Sequence, residues 1–209
     1  MSSAERRKKE KENRKNAILK VARKLFFDKG FKSVTIDSIA AKADLSKGSI
    51  YLCFDSKEEI YVQVLIAENI ERNKKNSNFL AKEASASERL LEFTGNYIDY
   101  FLGNNELFRI LMTFMLHSDQ MNLTEEQDSQ LIRTTNENIR IISEIIQKGI
   151  DSGEFSPGIN VRQVQNAIWG LLNGIISLYL FTGNQSKREN RIRSMIKDSV
   201  NIFIKGLRR

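Results

Sequence analysis

TIDSIAAKADLSKGSIYLCF, residues 35–54, holds two helix starts within one short stretch. Thr35 carries the side-chain oxygen an N-cap needs, and Ile36, Ile39, Ala40 and Ala43 follow as a narrow apolar stripe at helical spacing. Asp44-Leu45-Ser46 breaks that pattern, and Ser46 caps a second helix. The first turn of this helix supplies a cation in Lys47, a bare backbone in Gly48 and a hydroxyl in Ser49, groups suited to phosphates and base edges. Ile50 and Phe54 lie four apart and anchor the helix inward, so Tyr51 and Leu52 are expected to face outward. In a helix-turn-helix such a recognition helix enters the major groove of double-stranded DNA, which is just wide enough to admit it. An ordinary helix pair shares this geometry, so the decision rests on what surrounds the stretch.

Thr35, Ile39, Ala40, Ala43, Leu45, the run Ser46-Lys47-Gly48-Ser49-Ile50-Tyr51, Phe54 and Ser56-Lys57-Glu58-Glu59 resemble the DNA-binding signature of the tetracycline-repressor (TetR) family of bacterial regulators. Gly30-Phe31 upstream belongs to the same pattern. The resemblance is specific over about residues 16–65 and architectural beyond them. Where the family often has an aromatic or a histidine after the tyrosine, this chain has Leu52-Cys53, which leaves the base preference there open. The resemblance implies DNA contacts from Thr35, Ser46, Lys47, Gly48, Ser49, Tyr51, Leu52 and Lys57, with Thr35 and Lys57 on flanking phosphates. It also implies a small-molecule pocket among the C-terminal helices, whose occupation changes the separation of two DNA-reading modules.

The charge distribution agrees with a nucleic-acid partner. Of the net +7, residues 1–75 contribute all, with 18 Lys+Arg against 11 Asp+Glu, while residues 76–209 balance at 15 and 15. A basic module on a neutral body points to DNA with salt-sensitive affinity. With 41% hydrophobic residues the chain is long and apolar enough to bury a core, and its single proline, Pro157, points to an all-α protein. One cysteine, Cys53, allows no internal disulfide and fits a reducing cytoplasm. It reads as a buried small hydrophobe, with a thiol switch as the alternative. The N-terminus has no apolar h-region, and the longest apolar run, Ile168 to Phe181, is short of the roughly 20 residues of a membrane span. A cytoplasmic protein with no membrane partner is expected.

Residues 1–15 read as a polar arm whose Arg6, Arg7, Lys8, Lys9, Lys11, Arg14 and Lys15 either reach phosphates or the minor groove, or form a solvated helix extension paired with Glu5, Glu10 and Glu12. Helix one is expected over 16–29 on Ile18, Val21, Ala22 and Leu25, closed by Gly30 in the left-handed position with Phe31 folding back on Phe26 or Phe27. Ser56 with Glu59 forms a capping box opening a helix towards Arg72, and polar residues 73–84 mark the domain boundary. The domains are therefore taken as 1–75, a helix-turn-helix DNA-binding domain, and 76–209, a ligand-binding and dimerisation domain. Five further helices follow. Three open on capping boxes: Ser85 with Glu88, Thr124 with Gln127 and Ser186 with Glu189.

The segment 161–182 is apolar nearly all round in its second half and needs covering on more than one side. The helix of 187–205 carries Ile192, Ile196, Val200 and Phe203 at spacings of three to four. Both are expected in a homodimer seam, because a two-fold helix-turn-helix protein reads two half-sites of a palindromic operator. Catalysis finds no support: His117 is the only histidine, no nucleophile-elbow or Walker pattern accompanies it, and no metal or nucleotide cofactor is expected. For the pocket that the resemblance implies, Tyr97, Phe101, Phe108, Leu111, Met112, Phe114, Met115, Trp169 and Asn173 offer adaptable apolar groups with polar handles. Each alone also fits a plain core position, and Arg109 fits either an acidic ligand or a surface ion pair. The expectation is an all-α homodimeric repressor released by a small hydrophobic effector. A nonspecific architectural DNA-binding protein, or a small-molecule-binding protein without operator specificity, is the alternative.

Overall fold

A computed structural model describes residues 2–81, 83–117, 123–180 and 185–208. Among them the helices are α1 (Ser3–Lys29), α2 (Ile36–Lys42), α3 (Lys47–Tyr51), α4 (Lys57–Ala81), α5 (Ala86–Leu102), α6 (Asn105–His117), α7 (Glu125–Asp151), α8 (Val161–Tyr179) and α9 (Gln185–Leu207). A 3-10 turn covers Phe31–Ser33, and pairing outside helices is limited to one bridge between Phe155 and Arg208 among the described residues. The all-α expectation holds.

Helix starts follow the capping residues. The Thr35 hydroxyl accepts from the Ser38 N–H at 3.1 Å, while the Thr35 N–H donates to Ser38 Oγ at 3.0 Å. Ser85 and Glu88 form their reciprocal box, as do Thr124 and Gln127. At the start of α4 the box is shifted. Ser56 Oγ takes the Glu59 N–H at 3.0 Å, but the Glu59 carboxylate reaches one residue further back, to the Asp55 N–H at 2.6 Å. The Ser186 side chain, Phe181, Thr182 and the His117 side chain lie outside the described residues.

Three boundaries differ from those expected. Residues 3–15 take the second of their two readings, a solvated helix extension, and form the first half of α1, started by a box between Ser2 and Glu5 and supported by an Arg6–Glu10 pair at 3.2 Å. A run rich in Arg, Lys and Glu has high helix propensity, so once capped it needs no apolar face to remain helical. α4 continues past Arg72 to Ala81, through residues that looked like a linker. Conversely, α3 ends at Tyr51, and residues 52–54 turn out of it.

By packing, the chain divides elsewhere than at residue 75. One compact unit is Met1–Asn69 with Glu106–Thr134, and the other is Ile70–Asn105 with Thr135–Arg209. In the first, Ile18, Ala22 and Phe26 of α1, Ile39 of α2, Ile50 of α3 and Ile60 and Leu65 of α4 are fully buried. Phe26, Phe31 and Tyr61 form an aromatic cluster, with centroids 5.9 Å apart for Phe26–Phe31 and 4.5 Å for Phe31–Tyr61. Phe31 thus folds back on Phe26, as expected. Gly30 makes this possible at φ 75° and ψ 158°, a region essentially closed to other residues and different in ψ from the left-handed cap anticipated. Burial pushes the Tyr61 phenol well above its ordinary range, with the Glu106 carboxylate adding to the shift.

In the second unit α5 packs mainly against α9, which also packs against α8. Leu90, Phe93, Thr94, Tyr97, Ile98 and Phe101 all face inward. Its N-terminus is capped from afar: Glu154 accepts from the Ala86 N–H at 2.7 Å, from the Ser87 N–H at 3.1 Å and from the Ser87 hydroxyl. Desolvation opposes the charge on Glu154, but the Ser87 and Ala86 hydrogen bonds and the nearby Arg208 guanidinium outweigh it and lower the carboxyl's pKa. Gly149 of α7 admits the Phe155 ring, since a Cβ there would overlap that ring and come within 2.8 Å of the Ala86 Cβ. Gly153, at φ 76°, follows the end of α7 at Asp151.

The stripe on α9 is a correction. Ile192, Ile196 and Val200, expected to face a second copy, are each fully buried in the chain's own core. A periodic apolar stripe specifies a covered face without saying what covers it. On α7, by contrast, Ile132 is exposed.

Candidate nucleic-acid interface

α2 and α3 meet through a turn in which Asp44, at φ 55°, takes the left-handed conformation that Asp tolerates better than most residues. Ile39 and Ala40 on α2 and Ile50 and Phe54 around α3 are buried, which fixes the rotation of the recognition helix. Tyr51 and Leu52 are then left 48% and 68% exposed, as the spacing predicts. Ser46 starts the helix: its Oγ accepts from the Ser49 N–H at 3.1 Å and lies 2.9 Å from the Ser49 hydroxyl. A Cβ at Gly48 would meet only Ser46 Oγ, at 3.9 Å. No packing inside the chain demands glycine there, and its absent side chain keeps an exposed surface low.

The two lysines are engaged. Lys47 pairs with Asp37 of α2 at 3.1 Å, both side chains being more than half exposed. Nothing in the spacing announced this partner, ten residues away across the turn. Lys57, expected on a flanking phosphate, donates to the Phe31 carbonyl at 3.1 Å and sits 4.1 Å from the Phe31 ring centroid. That contact ties the start of α4 to the end of α1 and uses one of three ammonium donors. Thr35 is exposed, with its hydroxyl accepting within its own cap.

Beside Leu52 lies an open groove lined by Arg7, Glu10, Lys11, Arg14, Leu52 and Cys53. It exists because α1 begins at Ser3, the helix-extension alternative for residues 1–15. Lys15 stands over the Phe54 ring at 5.2 Å, linking α1 to the end of the recognition segment. Cys53 is half-buried rather than fully buried.

Of the residues expected around an effector, the structure brings four together in the second unit. The Tyr97 hydroxyl donates to Asn173 Oδ1 at 2.8 Å, Asn173 Nδ2 donates to the Trp169 carbonyl at 2.8 Å, and the Tyr97 ring packs edge-on against Phe101 and Trp169. Burial pushes the Tyr97 phenol well above its ordinary range, with Arg72 and Asn173 acting against the shift, so it is a neutral donor. The other five belong to the first unit. There Phe108, Leu111 and Phe114 are buried, Met112 is half-buried and Met115 is 47% exposed. Arg109 pairs with Glu106 at 3.7 Å, the surface-pair alternative. No group of three or more metal-ligating side chains occurs among the described residues. No helix is long and apolar enough to cross a membrane among them.

Comparison with known proteins gives two family matches along the chain. Residues 18–64 match the family model of bacterial regulatory proteins of the tetR family, and residues 83–204 match that of the tetracyclin repressor-like C-terminal domain. The regulator QacR of Staphylococcus aureus is 26% identical over 195 residues, 93% of this chain and 98% of the relative. The fatty acid metabolism regulator protein of Bacillus subtilis is 24% identical over 166 residues, covering 78% of this chain and 81% of the relative. A crystal structure of FadR from Bacillus subtilis in complex with stearoyl-CoA superposes with TM-score 0.68 at 21% identity, over 86% of this chain and 96% of that one.

Proposed function

We propose a function from one premise: this chain belongs to the TetR family of bacterial regulatory proteins. It is a DNA-binding transcriptional regulator, and we read it as a repressor that a small hydrophobic effector releases from a palindromic operator. The observation that carries the reading is the presentation of α3. Two buried anchors, Ile50 and Phe54, turn Tyr51 and Leu52 into solvent on a helix whose first turn holds Lys47, Gly48 and Ser49. On this reading Tyr51 and Leu52 meet base edges and thymine methyl groups, Ser49 and the Gly48 backbone approach the DNA strand, and Lys47 exchanges Asp37 for a phosphate. Thr35 and Ser46 contact flanking phosphates, and Lys57 does so with the donors that Phe31 leaves free.

Two copies are needed to read an inverted repeat. The exposed face of α8 carries Ala167, Gly170, Gly174 and Leu178, with nothing within 4 Å of a Cβ at either glycine, and Leu178 is 66% exposed. On α9, Ile202 is 69% exposed. Small residues beside isolated large apolar ones allow close helix approach, which supports dimerisation through α8 and α9 by the faces opposite their buried stripes. For the effector, Tyr97, Phe101, Trp169 and Asn173 are the proposed contacts. The stearoyl-CoA held by the structurally similar protein makes a long-chain acyl thioester the first compound to try. Release follows if the effector binds more tightly to a conformer whose half-site spacing misfits the operator. The setting of such chemistry is the cytoplasm.

The test is selection of bound duplexes from a random pool by the purified full chain at roughly physiological salt, where nonspecific phosphate binding is weak. An enriched inverted repeat, released by an acyl thioester, is expected. No enrichment from protein shown to be folded and dimeric would transfer the reading to a nonspecific DNA-binding protein.

A further inference from the structure

The groove between α1 and the end of the recognition segment has a charge pattern that folding alone does not explain. Arg7, Lys11 and Arg14 follow one another at i, i+4 and i+7, so they share one face of α1 and line the groove together. Like charges at that spacing repel, each neighbouring pair costing a few tenths of a kcal/mol. The carboxylate that also lines the groove, Glu10, is engaged by Arg6 at 3.2 Å. Among the described residues none of Arg7, Lys11 and Arg14 forms an ion pair or hydrogen bond. The groove's remaining lining, Leu52 and Cys53, is uncharged and follows directly on α3, which ends at Tyr51. Three cations thus stand unpaired over a neutral floor where the DNA-reading helix stops.

We infer that this groove takes the phosphodiester backbone next to the base pairs read by α3, so that the first turns of α1 form a second, sequence-independent phosphate clamp. The inference rests on the reading of α3 as the element that enters the major groove. Charge complementarity and continuity with α3 select the occupant. From Arg7 to Arg14 the helix rises roughly 10 Å, about three base-pair steps of a duplex strand. The clamp supplies affinity and register, while the choice of bases stays with Tyr51 and Leu52.

The experiment compares the wild-type full chain with the triple variant Arg7→Ala, Lys11→Ala, Arg14→Ala. Binding is measured against salt on the selected duplex and on a random-sequence duplex. Three lost phosphate contacts lower the slope of log affinity against log salt by about 2.7. Between 50 and 200 mM salt the wild type is then expected to lose about 40-fold more affinity than the variant. The selected half-site should be unchanged, and circular dichroism should show α1 intact, since alanine favours helix. Arg7→Lys with Arg14→Lys, which keeps the charge, should retain the wild-type slope. A control removing three exposed cations of the other unit that lie off the proposed dimer faces, Arg140→Ala, Lys148→Ala and Arg162→Ala, should leave the slope in place. A folded triple variant with the wild-type slope, or one no different from that control, overturns the clamp. A wild type that enriches no repeat overturns the operator reading instead, and the slope difference on random duplex then decides the clamp separately.

Discussion

The two ends of the molecule's function are built on different length scales. In the helix-turn-helix the bonds that start the helices join residues three positions apart, Thr35 with Ser38 and Ser46 with Ser49. Around α5 further bonds join residues far apart: Ser87 with Glu154 is 67 positions apart, Tyr97 with Asn173 is 76 and Arg208 with Ser87 is 121. The DNA-reading surface is consequently made of exposed side chains on a short, self-specifying frame. Of the proposed effector residues, Tyr97, Phe101 and Asn173 are buried and Trp169 is half-buried, and the contact of Tyr97 with Asn173 exists only after long-range packing. A local frame can be altered at its surface without cost to the fold, whereas the Ser87 and Tyr97 hydroxyls of the nonlocal unit are coupled to distant partners.

The largest expected effect tests how far the local frame depends on its anchor. Phe54→Ala should cost about 3–5 kcal/mol in denaturant unfolding and abolish operator binding, because Phe54 is 2% exposed and sets the rotation of α3. A variant of wild-type stability would show that the surface is held by caps alone. Next in size, Tyr97→Phe leaves the buried Asn173 Oδ1 without its donor and should cost about 1–3 kcal/mol. A neutral result in thermal unfolding would mean that the long-range pair is dispensable, and the contrast between the regions would lose its energetic basis.

Glu154→Gln probes the distant cap on α5 through pH. The carboxyl's pKa is lowered in the folded chain, so its stabilisation is present above the ordinary carboxylate pKa and is lost as pH falls through the folded value. The wild type should therefore unfold later than Glu154→Gln near neutrality, with the gap closing on acidification below about pH 4. A gap that persisted there would assign the cap to shape and not to charge. Smallest in stability is Tyr51→Ala, expected within about 0.5 kcal/mol of the wild type because the side chain is half exposed. It should nonetheless weaken operator binding about tenfold or more, the order of one lost base contact. Unchanged affinity would remove Tyr51 from the DNA surface.

What could be read before folding follows the same division. Thr35, Ser46, Ile50 and Phe54 declared themselves by capping chemistry and spacing, and Tyr51 and Leu52 lie where that spacing placed them. The Asp37 partner of Lys47 and the Phe31 carbonyl under Lys57 did not, because contacts across a turn or between helix ends leave no periodicity.

The sequence by itself determined an all-helical chain, the place of its helix-turn-helix, most helix starts and the basic bias of its first third. These depend on neighbours within a turn or on composition alone, and short-range hydrogen bonds and charge are countable along a chain. Only the tertiary structure chose the helix extension over the arm for residues 3–15 and set its face beside Leu52 and Cys53, and only it decided that Ile192, Ile196 and Val200 fill the protomer's own core and that Tyr97 meets Asn173. An apolar stripe or a run of charge specifies a face, and what that face meets is chosen by packing among elements far apart in the chain.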